Sequence, residues 1–276
     1  LSPHPFGRPH RAAAELPPIR SACPLLVFSH GNSGLRQQST FLTTHLASWG
    51  HVVAAPDHIG NTLLEMAALE DDDARRASHR LARARRPGDL AAVVRALLDE
   101  SVLAAGLPPL DPGRIGALGH SFGGWTALKL PRLEPRVRAI CALAPASEPF
   151  VGRLAFEQGE LPLPEAISVL VVAAQDDVLV DLETSVRPLH ARLGARARLE
   201  VIERADHFHF CDGIELLHGI HLATPRKDQT RPTRPWSELI GEDEMHTWLC
   251  GRETEFFETA LATGEPEAGW REGGAR

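Results

Sequence analysis

Short, almost uninterrupted apolar runs alternate along the chain with longer stretches of helical periodicity. Residues 24–29 (PLLVFS) read as a buried strand, followed by a glycine-containing loop and an amphipathic helix over about 38–49 that Gly50 stops. Residues 51–56 (HVVAAP) are the next strand. Pro87 then opens a helix running to about 103, with Asp89 in its first turn, where the helix dipole favours an acid. Residues 114–119 (RIGALG) form a strand that leads into a helix over 122–130. Strands at 137–143, 167–173 and 198–202, a helix at 183–193 and an amphipathic helix at 252–263 complete the pattern. Strands that are apolar throughout, rather than alternating, are buried on both faces. The pattern therefore predicts an α/β fold, a mostly parallel central sheet with helices on both faces.

Three segments interrupt this rhythm. One spans 65–86, acidic at first and then rich in arginine, with Asp71–Arg75 and Asp72–Arg76 at i,i+4 spacing, as on a solvated helical face. The others are the proline-rich 145–165 and the polar, proline-broken 214–245. All three are expected as lid or cap-like insertions within one domain covering 1–276.

Composition narrows the chemistry. The chain is 276 residues long and carries a net charge of −7, which argues against a nucleic-acid partner, and no apolar run is long enough for a transmembrane segment. Tyrosine is absent and lysine occurs only at Lys129 and Lys227, so Schiff-base and Ser-Lys chemistries have almost no candidates. No cofactor is expected. Cys23 and Cys141 lie in apolar strands and read as buried thiols. Cys211 and Cys250 could form a disulfide, which spacing alone leaves open. That bridge and the Leu1 start lean towards an exported protein, with a cytoplasmic one as the alternative.

The chemistry concentrates at Gly119-His120-Ser121-Phe122-Gly123, a Gly-x-Ser-x-Gly pattern between a strand and a helix. Such a turn holds its serine at a sharp, strained tip, and glycines on either side are needed because a Cβ would strike neighbouring backbone. Ser121 is the candidate nucleophile. Acyl transfer also needs two amides aimed at the developing oxyanion. The N–H of Phe122 is one candidate. The N–H of Asn32, after Ser29-His30-Gly31, is the other, with the His30 side chain read as orienting that turn.

These residues resemble the α/β-hydrolase superfamily. Within it, FSHGNSGLRQQSTFLTTHLASWGHVVAAPDHIGNT (28–62), the Arg86-Pro87-x-Asp89-Leu90 helix start and the 207–212 region resemble platelet-activating-factor acetylhydrolase-like and predicted dienelactone-hydrolase-like serine esterases. Relatives usually have two or more strands before the His-Gly strand. The resemblance thus implies that the N-terminal strands are reduced or missing here. It also implies the order nucleophile, acid, histidine. The turn at Ala174-Gln175-Asp176-Asp177 matches the family's Gly-x-x-Asp pattern with Asp177 as the acid, and Asp176, Asp181 and Glu183 remain as alternatives. His207-x-x-Phe-x-Asp matches the histidine motif, which favours His207 over His209, although Asp206 stands where relatives often carry glycine.

A metal reading of His207, His209, Cys211 and Asp212, with His218 and His221 nearby, needs both His207 and His209 on one side of an extended segment. No second cluster supports it, so no metal is expected. Trp125, Phe150, Phe156 and Phe208 are candidates for an apolar acyl pocket, with core or lid packing as the rival role. The sequence thus points to a serine esterase, a carboxylic-ester hydrolase working by a Ser-His-Asp triad through an acyl-enzyme on small or short-chain esters. The alternatives are a polyester or lipid-ester hydrolase, an acyltransferase on the same triad, or a non-catalytic binding member of the fold. The partner is a small-molecule or polymer ester.

Overall fold

The computed structural model describes residues 22–99, 107–153, 155–225, 229 and 231–262. Six strands form one sheet: β1 Cys23–Ser29, β2 Val52–Ala54, β3 Leu110–His120, β4 Val137–Leu143, β5 Ser168–Ala174 and β6 Ala197–Ile202. Their spatial order is β2-β1-β3-β4-β5-β6 and every pairing is parallel. Any strand before β1 would fall in residues 1–21, outside the described residues.

Successive strand residues feed opposite faces, so the sheet has a core on each side. Leu25, Val27, Ala117, Ile140 and Val171 point to one face, Leu26, Phe28, Leu118, Cys141 and Val172 to the other. Helices α1 (Thr40–Ser48) and α8 (Glu242–Ala260) cover the second face, with Phe257 close under Gly116: a Cβ there would lie 2.8 Å from the phenyl ring. The long α3 (Asp72–Leu98), α4 (Phe122–Lys129) and α6 (Arg187–Leu193) cover the first. Three short helices decorate the strand ends: α2 (Leu63–Ala67), α5 (Glu148–Val151) and α7 (Ile214–Ala223). Among the described residues no helix is long and apolar enough to cross a membrane.

Two helices depart from expectation. Pro87 does not open a helix but lies inside α3, which starts at Asp72 and takes in most of the first interrupting segment. The buried stripe Ala82, Arg86, Leu90, Ala91 and Val94 keeps helical spacing straight through the proline. Tertiary packing outweighs the lost backbone hydrogen bond there. Asp89 consequently sits in mid-helix rather than in a first turn. The solvated arginines pair at i,i+3, Arg75 with Asp72 and Arg76 with Asp73, not at i,i+4. Helix α8 also begins about ten residues earlier than expected, at Glu242, because Met245 and Leu249 extend the stripe of Phe256 and Phe257 towards the N-terminus.

Candidate active site

The turn between β3 and α4 holds Ser121 at φ 58°, ψ −118°, a backbone conformation that L residues rarely adopt. Its neighbours explain how the strain is held. A Cβ on Gly123 would lie 1.8 Å from the Ser29 carbonyl oxygen, and one on Gly119 would lie 2.4 Å from that of Gly123. Glycine at both places lets α4 press against the ends of β1 and β3. The Ser121 amide donates to the Leu143 carbonyl at 2.8 Å, tying the tip to β4.

The loop after β5 presents Asp177, fully buried. Its Oδ1 accepts from the Leu179 and Val180 amides at 2.7 and 2.8 Å, which leaves Oδ2 for His207 Nδ1 at 2.6 Å. A carboxylate can only accept, so the imidazole proton is assigned to Nδ1 and Nε2 keeps a lone pair. Asp176 turns the other way, towards Arg234 Nε at 3.1 Å. Asp181 caps the turn after it through the Glu183 and Thr184 amides, and Glu183 pairs with Arg187. Of the four acidic candidates, only Asp177 meets a histidine.

His207 and His209 do not share one side of an extended segment, because His207–Phe210 is a turn of 3₁₀ helix. His209 faces Asp206 at 2.7 Å and the Ile240 carbonyl at 3.1 Å, away from His207's partner. Asp206, in the place where a glycine is common, collects His209, His218 on α7 and the Phe208 amide. Burial pushes its carboxyl up, but those hydrogen bonds outweigh burial and hold it at about 2. Asp212, the last residue of the histidine motif, accepts from the Thr40 and Phe41 amides and so caps α1.

Ser121 and His207 both line a cavity of about 240 Å³. Asn32 and Ser33 form part of its wall, with Leu35, Leu63, Phe150, Val180, Phe208 and Leu217 supplying apolar surface. Phe150 and Phe208 are thus in the pocket; Trp125 and Phe156 are not. Trp125 lies in the core beneath Phe122, its indole N–H donating to the Ala155 carbonyl at 2.8 Å. Phe156 packs in the same core, near Lys129 and Arg192. An aromatic just past the elbow faces inward because α4 is buried nearly all round.

Cys211 lines the cavity too, but burial and the neighbouring Asp212 and Asp206 push its thiol well above its ordinary range. Cys211 and Cys250 are separate free thiols, so the disulfide left open by the sequence is not formed.

Several residues at the site lie in segments that resemble the family but take no individual role from the sequence. Gln38 Oε1 accepts from the Gly31 amide at 2.8 Å, and its Nε2 donates to His120 Nδ1 at 2.9 Å, bridging the β1 loop to the elbow. Beneath that loop lie the wholly buried Arg86, Asn61 and His58. His30 is buried with them; its Nε2 accepts from the His58 amide at 3.1 Å and its Nδ1–H donates to the Gly31 carbonyl at 2.7 Å. It orients the turn, as the sequence suggested. Burial first, then the nearby Arg86 charge, lowers its pKa to about 2, so the ring is neutral.

Comparison with known proteins agrees with this architecture. Residues 8–83 match the family model for platelet-activating factor acetylhydrolase, isoform II, a segment that ends before Ser121. Lipase 1 of Moraxella sp. (strain TA144) is 30% identical over 167 residues, which is 60% of this chain. The chain spans about two fifths of that lipase's length, 41%. A ferulic acid esterase from Streptomyces cinnamoneus superposes with a TM-score of 0.60 at 21% identity, over 91% of this chain and 72% of its own. Sheet order, elbow and likeness together define an α/β-hydrolase fold.

Proposed function

We propose that this chain is a serine carboxylic-ester hydrolase, with Ser121 as nucleophile, His207 as base, Asp177 as the group that orients the base, and the Asn32 and Phe122 amides as oxyanion donors. The observation that carries the reading is the buried Asp177–His207 hydrogen bond at 2.6 Å beside a cavity into which a strained turn delivers Ser121. His207 Nε2 takes the Ser121 proton as Oγ attacks the ester carbonyl, and the resulting oxyanion rests between the two amides. The tetrahedral adduct collapses, His207 gives its proton to the leaving alcohol, and the acyl group stays on Ser121. Water, deprotonated by His207, then releases the acid and restores the serine. The high thiol pKa of Cys211 supports a serine rather than a cysteine nucleophile.

Substrate size follows from the cavity. At about 240 Å³ it falls below the roughly 300–1,000 Å³ of a drug-sized site, and its walls are mainly apolar. It suits a short, unbranched acyl chain. The acetylhydrolase and lipase names of the sequence relatives point to ester cleavage as well.

Hydrolysis of p-nitrophenyl acetate and butyrate tests the assignment. Ser121→Ala is expected to lose activity by at least about a thousandfold, and a fluorophosphonate should label the wild type at Ser121 alone. A Ser121→Ala protein that keeps more than a few per cent of the wild-type rate overturns the reading.

A further inference from the structure

Arg86 projects from α3 into the space beneath the β1 loop and is wholly buried, yet no carboxylate lies within ion-pair distance of it among the described residues. All its bonds go to neutral acceptors. Nη2 reaches the His30 carbonyl and Ser29 Oγ (3.1 Å), Nη1 reaches Asn61 Oδ1 (2.6 Å) and, at 3.4 Å, the Gly31 carbonyl, and Nε reaches Thr126 Oγ1 (3.2 Å). A guanidinium has five N–H donors, and these acceptors engage the whole fork. Burial pulls its pKa down to about 9, with Asp89 opposing, so it is cationic at neutral pH. Burying a charge is expensive, and hydrogen bonds to neutral acceptors offset that cost only in part.

What the fork holds is informative. The Gly31 carbonyl and the Asn32 N–H belong to one planar peptide and point in opposite directions. Arg86, His30 Nδ1 and the Gly34 amide all donate to that carbonyl. Pinning the oxygen from below aims the Asn32 N–H the other way, and donors on the oxygen polarise the N–H they leave free. The Asn61 bond adds a second hold on the same residue, since Asn61 Nδ2 donates to Asn32 Oδ1 at 2.9 Å. The Nε arm reaches the other half of the site. Thr126 Oγ1, which accepts from Arg86, donates to the Phe122 carbonyl at 2.8 Å, and the guanidinium lies 4.7 Å over the Phe122 ring.

We propose that Arg86 is a positioning residue that clamps the Asn32-bearing loop to the Phe122-bearing helix, aiming and polarising the Asn32 amide and fixing its placement relative to the Phe122 amide, the pair that receives the oxyanion. The Asp89–His58–Ser29 chain is the second half of the device. Arg86 Nη2–H donates to Ser29 Oγ, Ser29 O–H to His58 Nε2 at 2.9 Å, and His58 Nδ1–H to Asp89 at 2.8 Å. Its dipoles run in one direction from the buried cation to a half-exposed anion and so balance the charge without a carboxylate next to the oxyanion site. This role rests on the serine-esterase reading above.

The test uses Arg86→Lys and Thr126→Val, each measured with p-nitrophenyl butyrate after titrating active sites with a fluorophosphonate. A trifluoromethyl ketone of matching chain length, whose adduct with Ser121 bears the charged oxygen, reports on the oxyanion site. Lysine keeps the charge but has too few donors for the fork. Arg86→Lys is expected to lower kcat per titrated site about tenfold to a hundredfold, somewhat less than deletion of a donor. KM should stay within about threefold, and the ketone should weaken by the same factor as kcat/KM. Thr126→Val, which cuts a single arm, should move both numbers severalfold. A merely structural role would reduce the titrated fraction and leave kcat per site and ketone affinity unchanged, which would overturn the proposal. If Arg86→Lys does not fold, the same two numbers for Thr126→Val decide. Ser121→Ala assayed alongside separates the two ideas. An inactive Ser121→Ala with an unaffected Arg86→Lys removes only the clamp, whereas an active Ser121→Ala removes the esterase reading beneath it.

Discussion

Among the described residues, the proposed triad Ser121, His207 and Asp177 and the hydrogen-bonded set Ser29, His58 and Asp89 are inside out with respect to each other. In Ser121–His207–Asp177 the acid is fully buried and the serine lines a cavity. In Ser29–His58–Asp89 the serine is fully buried and the acid is 40% exposed. Both histidines make a short Nδ1 contact with their acid, 2.6 Å at His207 and 2.8 Å at His58. The serines differ. Ser29 lies within a strand, its hydroxyl hydrogen-bonded to His58 and to Arg86, and it has no path to a substrate. Ser121 stands on a strained turn beside open space. Residue types and hydrogen bonds alone therefore do not separate the two serines; access and the direction of the chain do.

The largest expected effect that sharpens this contrast comes from the two acids. Asp177→Asn should reduce kcat on p-nitrophenyl butyrate by about 10³–10⁴-fold, because an amide facing His207 Nδ1 no longer fixes the useful tautomer. Asp89→Asn should cost only severalfold, acting at a distance through Arg86. Equal losses from the two would show that the comparison is drawn wrongly.

A smaller effect tests the closed-off set by pH. Burial lowers the His58 pKa to about 4, against the opposing hydrogen bond that His58 donates to Asp89. In the unfolded chain a histidine titrates near 6.5. Between about pH 6.5 and 4 the unfolded state therefore binds a proton that the folded state does not. The stability this site contributes is complete above the unfolded pKa and is lost as pH falls, by up to about 3 kcal/mol. Urea unfolding at pH 7 and pH 4.5 should show wild type losing more stability than His58→Gln. A steeper loss in the variant would contradict the buried, neutral ring.

A last effect of pH concerns an acid with no histidine. Glu253 on α8 is fully buried beside Cys141; burial raises its carboxyl to about 8, the thiol contact opposing. The sign is the reverse of His58. The contribution of the neutral carboxyl is complete below the unfolded value near 4.5 and is lost as pH rises through about 8. Glu253→Gln should raise the Tm relative to wild type at pH 9 and change it little at pH 5. No gain at pH 9 would mean that the carboxylate finds a partner there.

Much of the fold was legible from local pattern, because a doubly covered parallel sheet writes itself as apolar runs of strand length. The elbow was legible for a steric reason: only glycine survives at positions 119 and 123, and the two glycines frame Ser121. The remaining details involved competition that local pattern does not contain. Pro87 looks like a helix start, yet packing of the stripe on either side carries α3 through it. Trp125 and Phe156 look as suitable for a pocket as Phe150 and Phe208, and only tertiary packing separates them, burying the first two in the core and leaving the others at the cavity.

The amino-acid sequence by itself determined the class of fold, the strained serine and the neighbourhoods of its partners, since each depends on residues within a few positions of one another. Tertiary structure set Asp177 against His207 and turned Asp176 and His209 to other partners, because adjacent side chains leave the backbone in different directions. It alone assembled Arg86 with the β1 loop and Thr126, separated from it by 56, 55 and 40 residues, and gave the chain its second, closed-off serine. Hydrogen-bond partners so distant along the chain leave no periodicity or spacing to read. They meet only when strand ends and helices are packed, and burial then sets which serine a substrate can reach.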